Sequence, residues 1–140
     1  MKNKLWMGFI VVYIVMVALN FLIHGMLLTE PYQKLVDAGW MRGEESMTMW
    51  IYFVTALIVS FFFTLIYSKG HEGKGIGEGF RFGLYTGLFM ATPFAYDNYA
   101  SYNIEYSLAL QWFIYTLIEY IILGIVVSMV YGKSSTAPAS

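Results

Sequence analysis

One carboxyl interrupts the apolar stretch from Tyr106 to Gly132. It is Glu119, set between Trp112-Phe113-Ile114-Tyr115 and Ile121-Ile122-Leu123. At ~1.5 Å rise per residue the stretch can cross a hydrocarbon core of about 30 Å, with Glu119 near its middle. A carboxylate at that depth costs ~3 kcal/mol or more, so the group must be protonated or paired and must face other helices. Two functional chemistries use such a group: carrying a proton, and holding a cationic ligand among aromatic rings. A neutral carboxyl hydrogen-bonded between helices is the structural alternative. Tyr115 stands one helical turn before it. On the first apolar segment Tyr13, Asn20 and His24 are seven and four residues apart and share a helix face. Depth places Asn20 nearest Glu119, and His24 nearer the outer boundary, level with Gln111 and Asp97. His24 with Asp97 is a candidate proton relay, although one imidazole and one carboxylate make a poor metal set. Met41, Met47 and Met49 read as apolar filler rather than Cu(I) ligands. A bis-histidine haem is disfavoured because His71 belongs on the opposite side of the membrane from His24. Neither a metal nor another cofactor is expected.

The elements that must position these residues are transmembrane. The chain has 140 residues, 59% hydrophobic and only 12% charged, with a net charge of -1 and no cysteine. Soluble domains carry roughly 25% charged residues. A near-neutral chain lacks the clustered basic face that nucleic acid requires, and without cysteine there is no thiolate or disulfide chemistry. The uncharged runs place spans at about 5–28, 47–67, 79–99 and 107–131 in a single transmembrane domain over 1–132, followed by a disordered cytoplasmic tail at 133–140. The fold expected is all-α, an integral membrane four-helix bundle. The first apolar run is longer than a secretory signal core and has no small-x-small cleavage site at Ala18-Leu19-Asn20, so it is expected to be retained. The third span reaches sufficient length if Arg81 snorkels to the cytoplasmic interface, and Pro93 should kink its outer third.

Lys2, Lys4, Lys69, Lys74, Arg81 and Lys133 all fall on one side of this four-span arrangement, and Lys34 and Arg42 on the other. The positive-inside rule then puts both termini in the cytoplasm of a cell inner membrane. Thr29-Glu30-Pro31 starts, and Gly39 stops, a short amphipathic interfacial helix between helices 1 and 2, with Tyr32 and Trp40 as interfacial anchors. Gly75, Gly79, Gly83 and Gly87 recur every four residues and continue as Ala91 and Ala95. From Gly79 onward they form a small-residue ridge suited to close helix packing, against another helix of the chain or a second protomer. The turn Gly70–Gly79 lacks the spacing of a phosphate-binding loop and reads as a linker.

Tyr67-Ser68-Lys69-Gly70-His71-Glu72-Gly73-Lys74-Gly75, followed by Glu78-Gly79-x-Arg81-x-Gly83, Trp112 and Glu119, resembles a group of small uncharacterised bacterial inner-membrane proteins. The resemblance runs from the second half of the first helix through the fourth. It implies a prokaryotic four-helix membrane protein and brings no catalytic residue with it. With no set of nucleophile, base and orienting group, the reading is a non-catalytic accessory or homo-oligomeric component. Its partners are the bilayer and either itself or another membrane protein. The alternative is a proton-coupled transporter of a small cationic or aromatic compound, with Glu119 as the coupling group.

Overall fold

A computed structural model describes residues 2–133. The expected tail therefore lies outside the described residues from position 134 onward. Among those described there is no strand. Helix α1 spans Lys2–Leu22 and runs on as a π-helical turn, Ile23–Leu27, before the short α2, Thr29–Asp37. A 3-10 turn at Glu44–Ser46 leads to α3, Met49–Gly70. Helix α4, Ile76–Thr92, passes through a second π-helical turn, Pro93–Asp97, into α5, Asn98–Ser101, and α6 closes the chain over Tyr106–Tyr131. Three helical stretches, Lys2–Leu27, Met49–Gly70 and Tyr106–Tyr131, are long and apolar enough to cross a membrane. The expected third span is instead a broken helical path. Pro93 supplies no N–H for the carbonyl one turn back, and the ladder there shifts to the wider π spacing.

Small residues decide which helices touch. Helix α6 lies between α1 and α4, and α1 also packs on α3. On α4, Gly79, Gly83, Gly87 and Ala91 are buried, and Ala95 continues the buried row into the π turn. This row meets α6 of the same chain. A Cβ on Gly79 would collide with the Gly124 carbonyl and the Ser128 hydroxyl, and one on Gly83 would lie 2.6 Å from the Ile121 Cα. The ridge therefore has an intramolecular partner. The α1–α3 contact follows the same rule: Gly8, Val12 and Met16 face Ala56, Ser60 and Thr64, and the Ser60 hydroxyl donates to the Met16 sulfur at 3.4 Å. Phe63 and Tyr67 of α3 reach Phe82 of α4 at 4.8 and 5.2 Å between ring centres.

Helix α2 begins at Thr29, as the Thr29-Glu30-Pro31 signal predicts, with Leu28 as its N-cap. The Thr29 hydroxyl donates back to the Met26 carbonyl at 3.2 Å and so satisfies a carbonyl of the π turn. Gly39 does end the segment, with φ +79. Trp40 lies beyond that stop and meets Tyr102 edge-on instead of sharing the helix face. Tyr32 points inward, where its aromatic ring packs against the buried group Ile23, Leu28 and Leu108.

Candidate functional site

The polar residues singled out in the sequence do not form one cluster. One group is a hydrogen-bonded triad. The His24 Nδ1 lies 2.5 Å from the Tyr32 hydroxyl, with the two rings stacked at 5.9 Å, and the Trp112 Nε1–H donates to the same hydroxyl at 2.8 Å. Burial pushes the Tyr32 phenol up to about 12, with the Trp112 hydrogen bond opposing that rise and the nearby Tyr52 adding to it. The phenol thus keeps its proton. Indole can only donate, so the phenol oxygen accepts from Trp112, and the direction of the phenol–imidazole bond follows the His24 tautomer. The backbone that brings these groups together is unusual on both sides. His24 sits in the first π turn, and Phe94 of the second π turn lies 5.0 Å from Trp112. Such turns redirect side chains that a regular helix would aim elsewhere.

Asp97 is not part of this group. It is exposed, and among the described residues it forms no ion pair or side-chain hydrogen bond with His24. The His24–Asp97 relay is not assembled. No group of three or more His, Cys, Asp or Glu able to hold a metal occurs among the described residues. Gln111 makes no side-chain hydrogen bond to the triad among the described residues and lines a cleft under α2. Its Oε1 is buried without a hydrogen-bond partner among the described residues.

Glu119 stands by itself. It is 5% exposed in the middle of α6, beside Tyr120, whose ring meets Phe63 of α3 edge-on at 5.7 Å. No ion pair or side-chain hydrogen bond joins it to Asn20 or Tyr115 among the described residues. Asn20 is half-buried on α1, and Tyr115 packs with the outer apolar group. Glu119 thus lacks the polar partners expected from depth among the described residues, and it lines neither the cleft under α2 nor the one beside Glu78.

A second carboxyl, missed by sequence reasoning, is held much more firmly. Glu78, at the start of α4, is also 5% exposed. One carboxylate oxygen accepts from the Glu72 backbone N–H at 2.7 Å and lies 3.2 Å from the His71 Nδ1, while the other accepts from the Lys74 N–H at 2.8 Å. Burial opposes ionisation of Glu78, but the two backbone donors and then His71 outweigh it and hold the carboxyl below 4.5. Rings of Tyr67 and Tyr131 cover His71 at 5.4 and 5.1 Å, and the Lys4 ammonium donates to the Tyr131 carbonyl at 2.7 Å. The glycine-rich turn is what makes this possible. Gly73 and Gly75 adopt φ +76 and +81, folding the backbone donors back over the helix start. The available signal was an acid two residues inside a glycine-rich turn with a histidine seven residues before it. No known protein family, curated protein or solved structure matches the chain.

Proposed function

We propose that the chain is a four-helix integral protein of a bacterial inner membrane, with both ends in the cytoplasm, and that it acts without catalysis by associating laterally with a second copy of itself. The glycine ridge is occupied within the chain, so a partner must dock elsewhere. One observation supports the outer half of α3. Every residue from Met49 to Thr55 is exposed, although a helix in a bundle ordinarily buries one face. Trp50 there is 65% exposed. A second copy is the commonest partner for a single self-complementary face.

The chain contains no cysteine, so single engineered cysteines report cleanly in membranes. Phe53→Cys should give a disulfide-linked pair on mild oxidation, and Phe89→Cys should not. Phe89 is the more exposed of the two, at 78% against 48%, so exposure alone predicts the reverse order. A pair at Phe89→Cys, or none at Phe53→Cys, overturns the proposal. The transport alternative rests on Glu119 being buried without a partner among the described residues. Reconstituted Glu119→Gln that carries cationic compounds as fast as wild type removes it.

A further inference from the structure

Helices α3 and α4 are joined by a short glycine-rich turn, yet each packs its backbone elsewhere, α3 on α1 and α4 on α6. Phe63 and Tyr67 reach across to Phe82, and a groove of about 230 Å³ stays open between the end of α3 and the start of α4. Ile66, Gly70, Phe82 and Tyr85 give it apolar walls, and Ile66 and Tyr85 are both exposed, so it opens outward. Its volume falls short of the roughly 300 Å³ at which enclosed small-molecule sites begin. It suits a length of hydrocarbon chain. In a bilayer such a groove is filled by hydrocarbon, because left empty its walls forfeit van der Waals contact on one side. Arg81 also lines it, nearly half exposed, and its guanidinium is turned toward the interhelical turn, 3.5 Å from the Glu72 carboxylate.

Charge decides which lipid fits. Lys4 donates to the Tyr131 carbonyl and Lys133 lies beside Gly75, so the start of α1 and the end of α6 bring their lysines to this same end of the assembly. With Lys2, Lys69, Lys74 and Arg81 they place six bases here against two acids, Glu72 and Glu78. Both acids are already engaged, Glu78 by two backbone N–H groups and His71, and Glu72 by the Lys74 ammonium. Lys69, three residues on from Ile66, is exposed and forms no ion pair among the described residues. We propose that this groove seats an anionic phospholipid, with one acyl chain along Ile66, Phe82 and Tyr85 and the phosphate on the Arg81 guanidinium. Basic pockets between spans recognise headgroups in this way, and the planar guanidinium matches two phosphate oxygens at once. A zwitterionic lipid brings an ammonium into the excess of bases. The inference rests on the chain spanning a membrane but not on lateral association. It uses the opposite end of α3 from Met49–Thr55 and does not involve Glu119, so a failure here leaves the cross-linking result unchanged, and the converse also holds.

The test is native mass spectrometry of the detergent-solubilised full chain, titrated with dioleoyl phosphatidylglycerol, dioleoyl phosphatidylethanolamine and the soluble headgroup glycerol 1-phosphate. Phosphatidylglycerol should be retained as a one-to-one adduct, and phosphatidylethanolamine at least tenfold more weakly. Glycerol 1-phosphate should not displace the bound lipid, because it lacks the chain that fills the groove. Arg81→Gln should weaken phosphatidylglycerol binding tenfold or more. Gly70→Leu should do the same without touching a charge, since nothing lies within 4 Å of a Cβ there and the added side chain occupies the groove. Lys34→Gln, at the other end of the molecule, should leave binding within about twofold of wild type. Equal retention of the two lipids, displacement by glycerol 1-phosphate, no one-to-one adduct on the folded wild-type chain, an equal loss in Lys34→Gln, or unchanged affinity in folded Arg81→Gln would each overturn the proposal. If Arg81→Gln does not fold, the affinity of Gly70→Leu decides.

Discussion

The two ends of the helical assembly treat their histidines and carboxyls in opposite ways. At the His71 end, one carboxylate gathers two backbone N–H groups and an imidazole, under a lid of two tyrosine rings. At the His24 end the imidazole is reached through a phenol, the nearby Gln111 oxygen has no partner among the described residues, and α2 contributes no fully buried residue. Charge-assisted hydrogen bonds from fixed backbone donors are roughly twice as strong as neutral ones. The His71 end is thus built as an anchor and the His24 end as a cap that can loosen. The glycine contact between α4 and α6 connects them.

The largest expected effect comes from breaking that connection. In Gly83→Leu the new side chain meets the Tyr120 carbonyl and the Ile121 Cα, which are backbone atoms and cannot yield unless the helices part. A loss of more than about 4 kcal/mol is expected, in the class of severe overpacking. Denaturant unfolding in mixed micelles measures it. Gly77→Ala is the matched control on the same helix, because nothing lies within 4 Å of its added methyl. It should change stability by no more than about 0.5 kcal/mol. Equal behaviour of the two variants would remove the intramolecular contact from the account.

The anchor is tested next. Glu78→Gln keeps the shape of the side chain but loses the charge that strengthens its hydrogen bonds, and should destabilise by about 1.5–3 kcal/mol at pH 7. The sign of the pH dependence follows from the lowered carboxyl. In the folded chain the backbone donors and His71 hold Glu78 below the 4.5 at which the unfolded group titrates. Its contribution is therefore complete at neutral pH and is lost as pH falls below about 4.5 and through the folded value, where the unfolded state binds more protons. Wild type and Glu78→Gln should converge in acid. A gap between them that stays constant from pH 7 to pH 3 contradicts the assignment.

How much of this was legible in the sequence depended on the range of each signal. The three apolar helices and the glycine row could be read because both follow from local composition and a fixed spacing of four. The partner surface, Gly124 and Ser128, was present in the same small-xxx-small form but lay inside a run read only for its hydrophobicity. His24 and Gln111 were expected at one level near the outer boundary. The contact of His24 with Tyr32 was not legible, because the π turns at Ile23–Leu27 and Pro93–Asp97 change the angular register that depth reckoning assumes. Tyr32 was read as an interfacial anchor because its helix is amphipathic. What turns it inward is the Trp112 donor, 80 positions away in sequence. The Glu78 cradle depends on positive φ at two glycines, which local spacing alone does not reveal.

The smallest effect is expected at the cap, and it should differ in kind as well as size. Tyr32→Phe leaves the ring in place but removes the hydroxyl shared by His24 and Trp112, so an indole N–H and an imidazole nitrogen both lose their partner. Two such losses in a sealed core would reach the whole fold. Here α2 buries no residue completely, so opening the cap lets water reach both groups while the α4–α6 contact stays intact. The expected result is local: backbone amides of α2 should exchange ten- to a hundredfold faster, which corresponds to about 1.4–2.8 kcal/mol for that opening. The midpoint of global unfolding should move far less than in Glu78→Gln. Hydrogen exchange read segment by segment separates the two quantities. If Tyr32→Phe lowers the global midpoint as much as Glu78→Gln while α2 exchange keeps pace with the rest of the chain, the two ends form one cooperative unit and the division into anchor and cap fails.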